Sequence, residues 1–377
     1  MYSGDAARPA YGAGGLAGVM PAVARSIGVR GMGDDVLDLP AAKRAVVILA
    51  DGLGDELLRR RSGHAPFLRS LLPQGRRLAA GFPSTTATSL ASLGTGLPPG
   101  AHGLVGFEAY DPEAQAVFNE LSWKNGPDPR SWQPFETVFE KAAATVEVTS
   151  VGSAKFDGSG LTTAALRGPG YAPAEELDAA VAATVAALRA SRRALVYLYW
   201  AQIDAVGHQF GSDSWQWGDA LEHFDRAVRS LAERVPAGTA IHITADHGMV
   251  DTDEQTRIDI GTTPALANGV RAVAGDARAP HVHVEPGALG DVLAAWRETL
   301  GERAVVVTRE EAVASGVFGR VDKRVQARLG DIVVAMRDTY VVLDSRRHKP
   351  AMLALVGHHG ALTHDEIAIP LLTVAPR

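Results

Sequence analysis

The 377-residue sequence contains no cysteine. Disulfides and thiolate-bound metals are therefore excluded, and any metal must sit on His, Asp or Glu. There is no excess of positive charge either: 37 Lys and Arg stand against 43 Asp and Glu, a formal net charge of −6. That speaks against a binder of polymeric nucleic acid, which needs a cationic stripe. A small anionic substrate stays open, because a local metal can override net charge. No apolar run is long enough to span a bilayer, so no membrane partner is expected. The opening stretch MYSGDAARPAYGAGGLAGVMPAVARSIG is interrupted by Asp5, Arg8 and several Gly and Pro. It does not read as a signal peptide, and the expected location is cytoplasmic. Hydrophobic residues at 46% and charged residues at 21% fit a globular protein.

Short apolar runs alternate with amphipathic stretches. AVVILA (45–50), VEVTSV (146–151), ALVYLYWA (194–201), AIHITA (240–245) and IPLLTVA (369–375) read as strands. They are apolar on both faces, as in a sheet covered by helices on each side. The stretches 174–191 and 215–235 between them carry helical periodicity. This order predicts an α/β fold with a mainly parallel sheet. Residues 262–350 have another texture, strand, helix, strand, helix, and then DIVVAMRDTYVVLD as a hairpin. They are expected to form a small α+β cap inserted into a core made of 1–261 and 351–377. The Gly- and Ala-rich first 40 residues are expected to wrap the surface.

Chemistry-bearing residues cluster in four blocks. Asp51 follows the first strand in ILADGLGDELL, at the strand end where α/β sheets place ligands. Asp204 and His208 in WAQIDAVGHQFG share one face if the segment is helical. Asp246 and His247 in ITADHGMV point apart on an extended chain. They reach one centre only if the strand has already turned, which Gly248 permits. His359 lies in VGHHG between two glycines. Each block alone also reads as an ordinary cap or turn. Together they supply three Asp and three His, enough for two sites of three ligands with open positions. Two divalent ions are expected, zinc first, with manganese or iron as alternatives. A fifth block, FPSTTATSLASLGTGLPPGAHGL, puts five Ser or Thr into positions 84–89.

The order Asp, hydroxyl-rich turn, D-x-x-x-H, D-H-G, x-H-G resembles the alkaline phosphatase superfamily. The likeness is greatest to its nucleotide pyrophosphatase/phosphodiesterase branch and runs from about residue 44 to 377. It implies an alkaline phosphatase-like fold and a two-metal phosphoryl-transfer hydrolase with a covalent phospho-threonine intermediate. Carried over by position, Thr86 is the nucleophile, with Thr85 as runner-up. Asp51, Asp246 and His247 then hold the metal beside it, and Asp204, His208 and His359 hold the second. His102 reads as a structural histidine in the return loop.

Two positions depart from that branch. Phe107 stands where it carries a phosphate-binding Asn, and Ala87 where it often has a base-stacking aromatic. Asn119, Lys124, Asn125, Lys155 and Arg278 are the candidates to replace the lost contact. Phosphodiesters or pyrophosphates come first as substrates. Monoesters come second, and phosphonates or sulfates third. The other classes to separate are a non-catalytic metal-binding member of the fold and a phosphomutase.

Overall fold

The computed structural model describes residues 7–12, 14–33 and 37–377. Its larger sheet has seven strands, in the order Arg76–Ala79, Ala368–Val374, Thr239–Thr244, Arg44–Ala50, Ala194–Trp200, Glu147–Gly152, Gly170–Pro173. Arg44–Ala50 runs parallel to both its neighbours, with Ala50 level with Trp200. Ala368–Val374 alone runs antiparallel to the strands beside it. The sheet is thus mainly parallel, with helices packed around it, an α/β architecture as expected.

Its helices are built by apolar periodicity. In Trp215–Arg234, the residues Trp217, Leu221, Phe224, Val228 and Leu231 are buried. That spacing makes one apolar stripe. The Ser214 hydroxyl caps the helix by accepting from the Trp217 N–H at 3.2 Å.

Two expectations differ from the structure. Within the first 40 residues, helix Val19–Ser26 is not a surface wrap. Val19, Met20, Val23 and Ala24 are fully buried, and the helix packs on strand Arg44–Ala50. Its small and branched side chains form a continuous apolar face that the Gly and Ala content concealed. The expected hairpin at 331–344 does not form either. Strand Ile332–Met336 has both edges taken, by Ala304–Thr308 and by Ala279–Val284. Val341–Leu343 therefore pairs in parallel with Arg257–Asp259.

The second sheet has six strands: Ala304–Thr308, Ile332–Met336, Ala279–Val284, Val270–Asp276, Glu108–Asp111 and Ala116–Asn119. Its last two strands come from outside 262–350, a hairpin assigned on sequence to the core. Strand alternation divides the smaller sheet between two cores. Ile332, Val334 and Met336 pack with Trp296 and Leu300 in a core of their own. Val333 and Ala335 face the main core beside Phe318 and Leu329. One face of the Ile332–Met336 strand thereby belongs to the main hydrophobic core. Among the described residues, no helix is long and apolar enough to cross a membrane.

Candidate active site

Three neighbouring parallel strands release their chains at one edge of the large sheet. Arg44–Ala50 delivers Asp51, Ala194–Trp200 leads into helix Gln202–Phe210 with Asp204 and His208, and Thr239–Thr244 delivers Asp246 and His247. Helix Thr86–Thr95 sets Thr86 at its first position, and extended Thr85 is the residue before it. The remaining hydroxyls tie this helix down. Ser84 donates to the Ala361 carbonyl at 2.7 Å, and Ser89 to the Asp246 carbonyl at 2.8 Å. Ser92 bonds the buried His102 ring at 3.0 Å, and the Leu104 N–H donates to its Nδ1 at 3.1 Å. His102 is therefore a structural link in the return loop.

The donor atoms of Asp51, Asp246 and His247 lie within 4.8 Å of one another, as do those of Asp204, His247 and His359. His247 Nε2 is 3.5 Å from Asp51 Oδ1, 3.4 Å from Asp246 Oδ2 and 3.2 Å from Thr86 Oγ1. His208 Nε2 meets Asp204 Oδ2 at 3.3 Å, and His359 Nε2 lies 4.0 Å from Asp204 Oδ1. Five of the six expected ligands and Thr86 thus face one centre, with His247 common to both groups, while His208 joins it through its contact with Asp204. In the His pair, His359 turns toward Asp204, whereas His358 bonds the Leu355 carbonyl at 3.2 Å.

The backbone permits this closeness at two glycines. Gly52 has φ +73, and a Cβ there would lie 2.9 Å from Asp204 Cβ. Gly248 serves by its lack of a side chain, since a Cβ would fall 1.9 Å from the Asp365 carbonyl oxygen. Close approach of another backbone, and not a positive φ, is what fixes glycine in the D-H-G block.

The donor set fits divalent cations. Each carboxylate has one oxygen anchored and one free. Asp51 Oδ2 accepts from the Tyr199 hydroxyl, Asp246 Oδ1 accepts from the Gly52 and His247 N–H groups at 3.1 and 3.0 Å, and Asp204 Oδ2 meets His208. The opposite oxygens, Asp51 Oδ1, Asp204 Oδ1 and Asp246 Oδ2, are buried without a partner. Orphaned buried carboxylate oxygens are costly unless a cation answers them. The imidazoles are oriented to match. Nδ1 of His208, His247 and His359 donates to the carbonyls of Gly357, Gly248 and Ser84 at 2.7, 3.0 and 3.0 Å. Nε2 of His247 and of His359 is thereby aimed at the carboxylates, whereas that of His208 is taken by Asp204 Oδ2.

The electrostatics agree. Burial, then Asp246 and Asp204, pushes the Asp51 carboxyl well above the usual carboxylate range. Burial, then His247, drives His359 well below the usual histidine range. Burial works to lower His208, but the Asp204 carboxylate lifts it to about 9. Such a cluster binds a cation by releasing protons.

Two cavities meet at Thr86 and Asp204. One, of 380 Å³, is walled by Phe107, His208, Asp276 and His359. The other, of 270 Å³, is walled by Asp51, Lys155, Phe156, Tyr171 and Tyr199. The residues expected to contact substrate divide accordingly. Phe107 lines the larger cavity and Lys155 the smaller, its ammonium 4.8 Å from the Phe156 ring centre. Asn119 instead caps a turn, accepting from the N–H groups of Leu121 and Ser122 at 3.0 and 2.7 Å. Arg278 is also elsewhere. It is fully buried, with bonds of 2.7 and 2.9 Å to Glu366 and a bond to the Asp338 carbonyl. With the Tyr340 carbonyl, four of its five N–H groups are engaged in this way, and it lines neither cavity. Its bearing on the site is indirect, because Glu366 accepts from the Ala361 N–H beside the His359 loop at 2.9 Å.

Asp276 is the side chain that sequence reading passed over. Its Oδ2 accepts from the Phe107 N–H at 3.1 Å, and with Thr85 it lines the larger cavity. Burial pushes its carboxyl up to about 7. In AVAGDARAP it looks like any turn Asp, and only the fold brings it to Thr85.

The profile of the family described as type I phosphodiesterase / nucleotide pyrophosphatase matches residues 45–362. The chain belongs to this family. A fission yeast (Schizosaccharomyces pombe) relative, an uncharacterized pyrophosphatase/phosphodiesterase, is 26% identical over 230 residues, covering 56% of this chain and 46% of its own. The chain thus spans less than half of that relative's length. Murine ectonucleotide pyrophosphatase/phosphodiesterase 5 superposes with a TM-score of 0.70 at 18% identity over 87% of each chain. Its inactive threonine-to-alanine form, solved with AMP, gives 0.68. Phosphonoacetate hydrolase from Sinorhizobium meliloti 1021, bound to phosphonoacetate, gives 0.68 at 21% identity over 89% of this chain and 90% of its own. At these identities the solved structures establish the shared fold, and the family match establishes the family.

Proposed function

We propose that the protein is a metal-dependent hydrolase of small phosphodiesters in which Thr86 is the nucleophile. The observation that carries this reading is the position of the Thr86 hydroxyl. It is 3.2 Å from His247 Nε2, at the start of a helix and at the junction of two cavities. Divalent ions held by Asp51, Asp246 and His247 and by Asp204, His208 and His359, zinc best suited to these donors, would lower the hydroxyl's pKa and offset transition-state charge.

The chain's own residues do the rest. Thr86 Oγ1 forms the bond to phosphorus as the bond to the leaving oxygen breaks, and the leaving alkoxide takes up a proton. Amides at the start of the Thr86–Thr95 helix, which lack intrahelical acceptors, receive the non-bridging oxygens. Water then cleaves the phospho-threonine, releasing the phosphomonoester and restoring Thr86. Two cavities suit a diester, one for each substituent. The 262–350 segment acts as the cap, giving substrate contacts and no metal ligand. An inactive threonine-to-alanine form of the murine relative supports the choice of a threonine.

A substrate panel tests the reading. Metal-reconstituted protein should turn over bis-p-nitrophenyl phosphate with a higher kcat/KM than p-nitrophenyl phosphate, and chelation should abolish both activities. Phosphonoacetate belongs in the panel because of the fold neighbour. A higher kcat/KM for the monoester or the phosphonate would replace the diesterase reading.

A further inference from the structure

We propose that the 380 Å³ cavity receives the leaving alcohol and selects an uncharged, largely apolar one, so that the substrates are diesters of apolar or aryl alcohols and not pyrophosphates. This rests on the diesterase reading above. The direction of departure follows from the geometry. Thr86 lies against His247, beside the Asp51 and Asp246 carboxylates. In-line displacement expels the leaving oxygen on the side away from Thr86, toward Asp204, His208 and His359. Asp204, like Thr86, lines both cavities, but His208 and His359 line the larger one alone and Asp51 the smaller one alone.

The wall of the larger cavity is unsuited to a phosphate leaving group. Val273, Val342, Leu343, Met352 and Leu355 make it apolar. Its arginine, Arg347, is engaged with Glu108 at 3.3 Å and with the Val273 carbonyl at 2.6 Å. His348 and His358, the latter bonded to the Leu355 carbonyl, are the other basic groups in the wall besides the proposed metal ligands. Against them stands Asp276, which lines the same wall, accepts from the Phe107 N–H and has no Lys or Arg paired with it among the described residues. A departing pyrophosphate or nucleotide would meet a carboxylate and a hydrocarbon surface. A departing phenol or alkanol would meet only the second, and burial of each methylene there favours it by up to about fourfold in rate. The volume equals that of about a dozen waters, room for an aryl ring with a short chain. The bonds made and broken are those of the diesterase step: Thr86 O–P forms, P–O to the phenol breaks, and the phenolate takes its proton from solvent.

The test uses metal-reconstituted protein and esters that share thymidine 5′-phosphate as the retained group. Leaving phenols with para-alkyl chains from methyl to hexyl vary in apolar area with little change in acidity. The proposal expects kcat/KM to rise with chain length until the cavity is full, and expects Leu343→Gln to flatten the rise. Thymidine 5′-triphosphate, with pyrophosphate as leaving group, should be a poor substrate. In assays run on the alkaline side, where the Asp276 carboxyl is ionised, Asp276→Asn should raise its kcat/KM relative to the phenyl ester by about tenfold, the effect of removing one nearby charge. Flat dependence on chain length, or triphosphate turnover equal to that of the aryl esters and unmoved by Asp276→Asn, would overturn the proposal while leaving the diesterase reading intact. Failure to hydrolyse any of the diesters would overturn both.

Discussion

Replacing Arg278 with Met should cost about 3–5 kcal/mol of stability, the usual effect of breaking a fully buried ion pair from one side. The magnitude follows from what is left behind. Arg278 and Glu366 are both 0% exposed. Without the guanidinium, the Glu366 carboxylate keeps the Ala361 N–H at 2.9 Å and the Thr363 hydroxyl at 2.6 Å. It loses its counter-charge, and the Asp338 and Tyr340 carbonyls lose a donor. Against a total stability of about 5–15 kcal/mol this is a large fraction. The damage should also reach the site, because Glu366 orders the loop after His359 and its carbonyl accepts from the Gly248 N–H at 2.7 Å. Urea unfolding followed by tryptophan fluorescence measures the loss, and metal titration measures the looser site. The double variant Arg278→Met/Glu366→Gln should recover at least half, since it leaves no buried charge unpaired. A single variant within about 1 kcal/mol of the parent would refute the reasoning.

Other outcomes follow from the same contacts. Thr86→Ala should lose several powers of ten in kcat yet keep its metal content, while Thr85→Ala keeps most activity; the reverse result would move the nucleophile to Thr85. Tyr199→Phe removes the hydroxyl that anchors Asp51 and should weaken metal affinity by about 10–100-fold, read by competition with a chelating dye. His242 is held down at about 4 by burial. Below its ordinary value near 6.5 the unfolded chain binds the extra proton, so stability should fall by about 3 kcal/mol from pH 7 to pH 4. His242→Leu should lose correspondingly less over the same range, and equal losses in both proteins would count against the assignment.

What was readable from sequence had local causes. The five apolar runs became strands of the large sheet because burial on both faces leaves an unbroken hydrophobic pattern. Three of the four candidate ligand blocks were readable because each follows such a strand, whereas the His359 block had only its two flanking glycines to mark it. The second sheet was less so. Its hairpin at 108–119 comes from a different part of the chain than its other four strands, and no periodicity announces a partner so distant. Val341–Leu343 was misassigned because edge occupancy is a property of the assembled sheet. Arg278 looked like a free cation, and only packing reveals its commitment to Glu366. Asp276 and Tyr199 carry no motif, and their roles come from what the fold sets beside them.

The most direct test of the central claim is to trap the intermediate. Metal-reconstituted protein mixed with bis-p-nitrophenyl phosphate, quenched in acid within one turnover and mapped by mass spectrometry, should carry a p-nitrophenyl phosphoryl group on Thr86. A full burst of p-nitrophenol with Thr86 unmodified, or with the adduct on Thr85, would contradict the account.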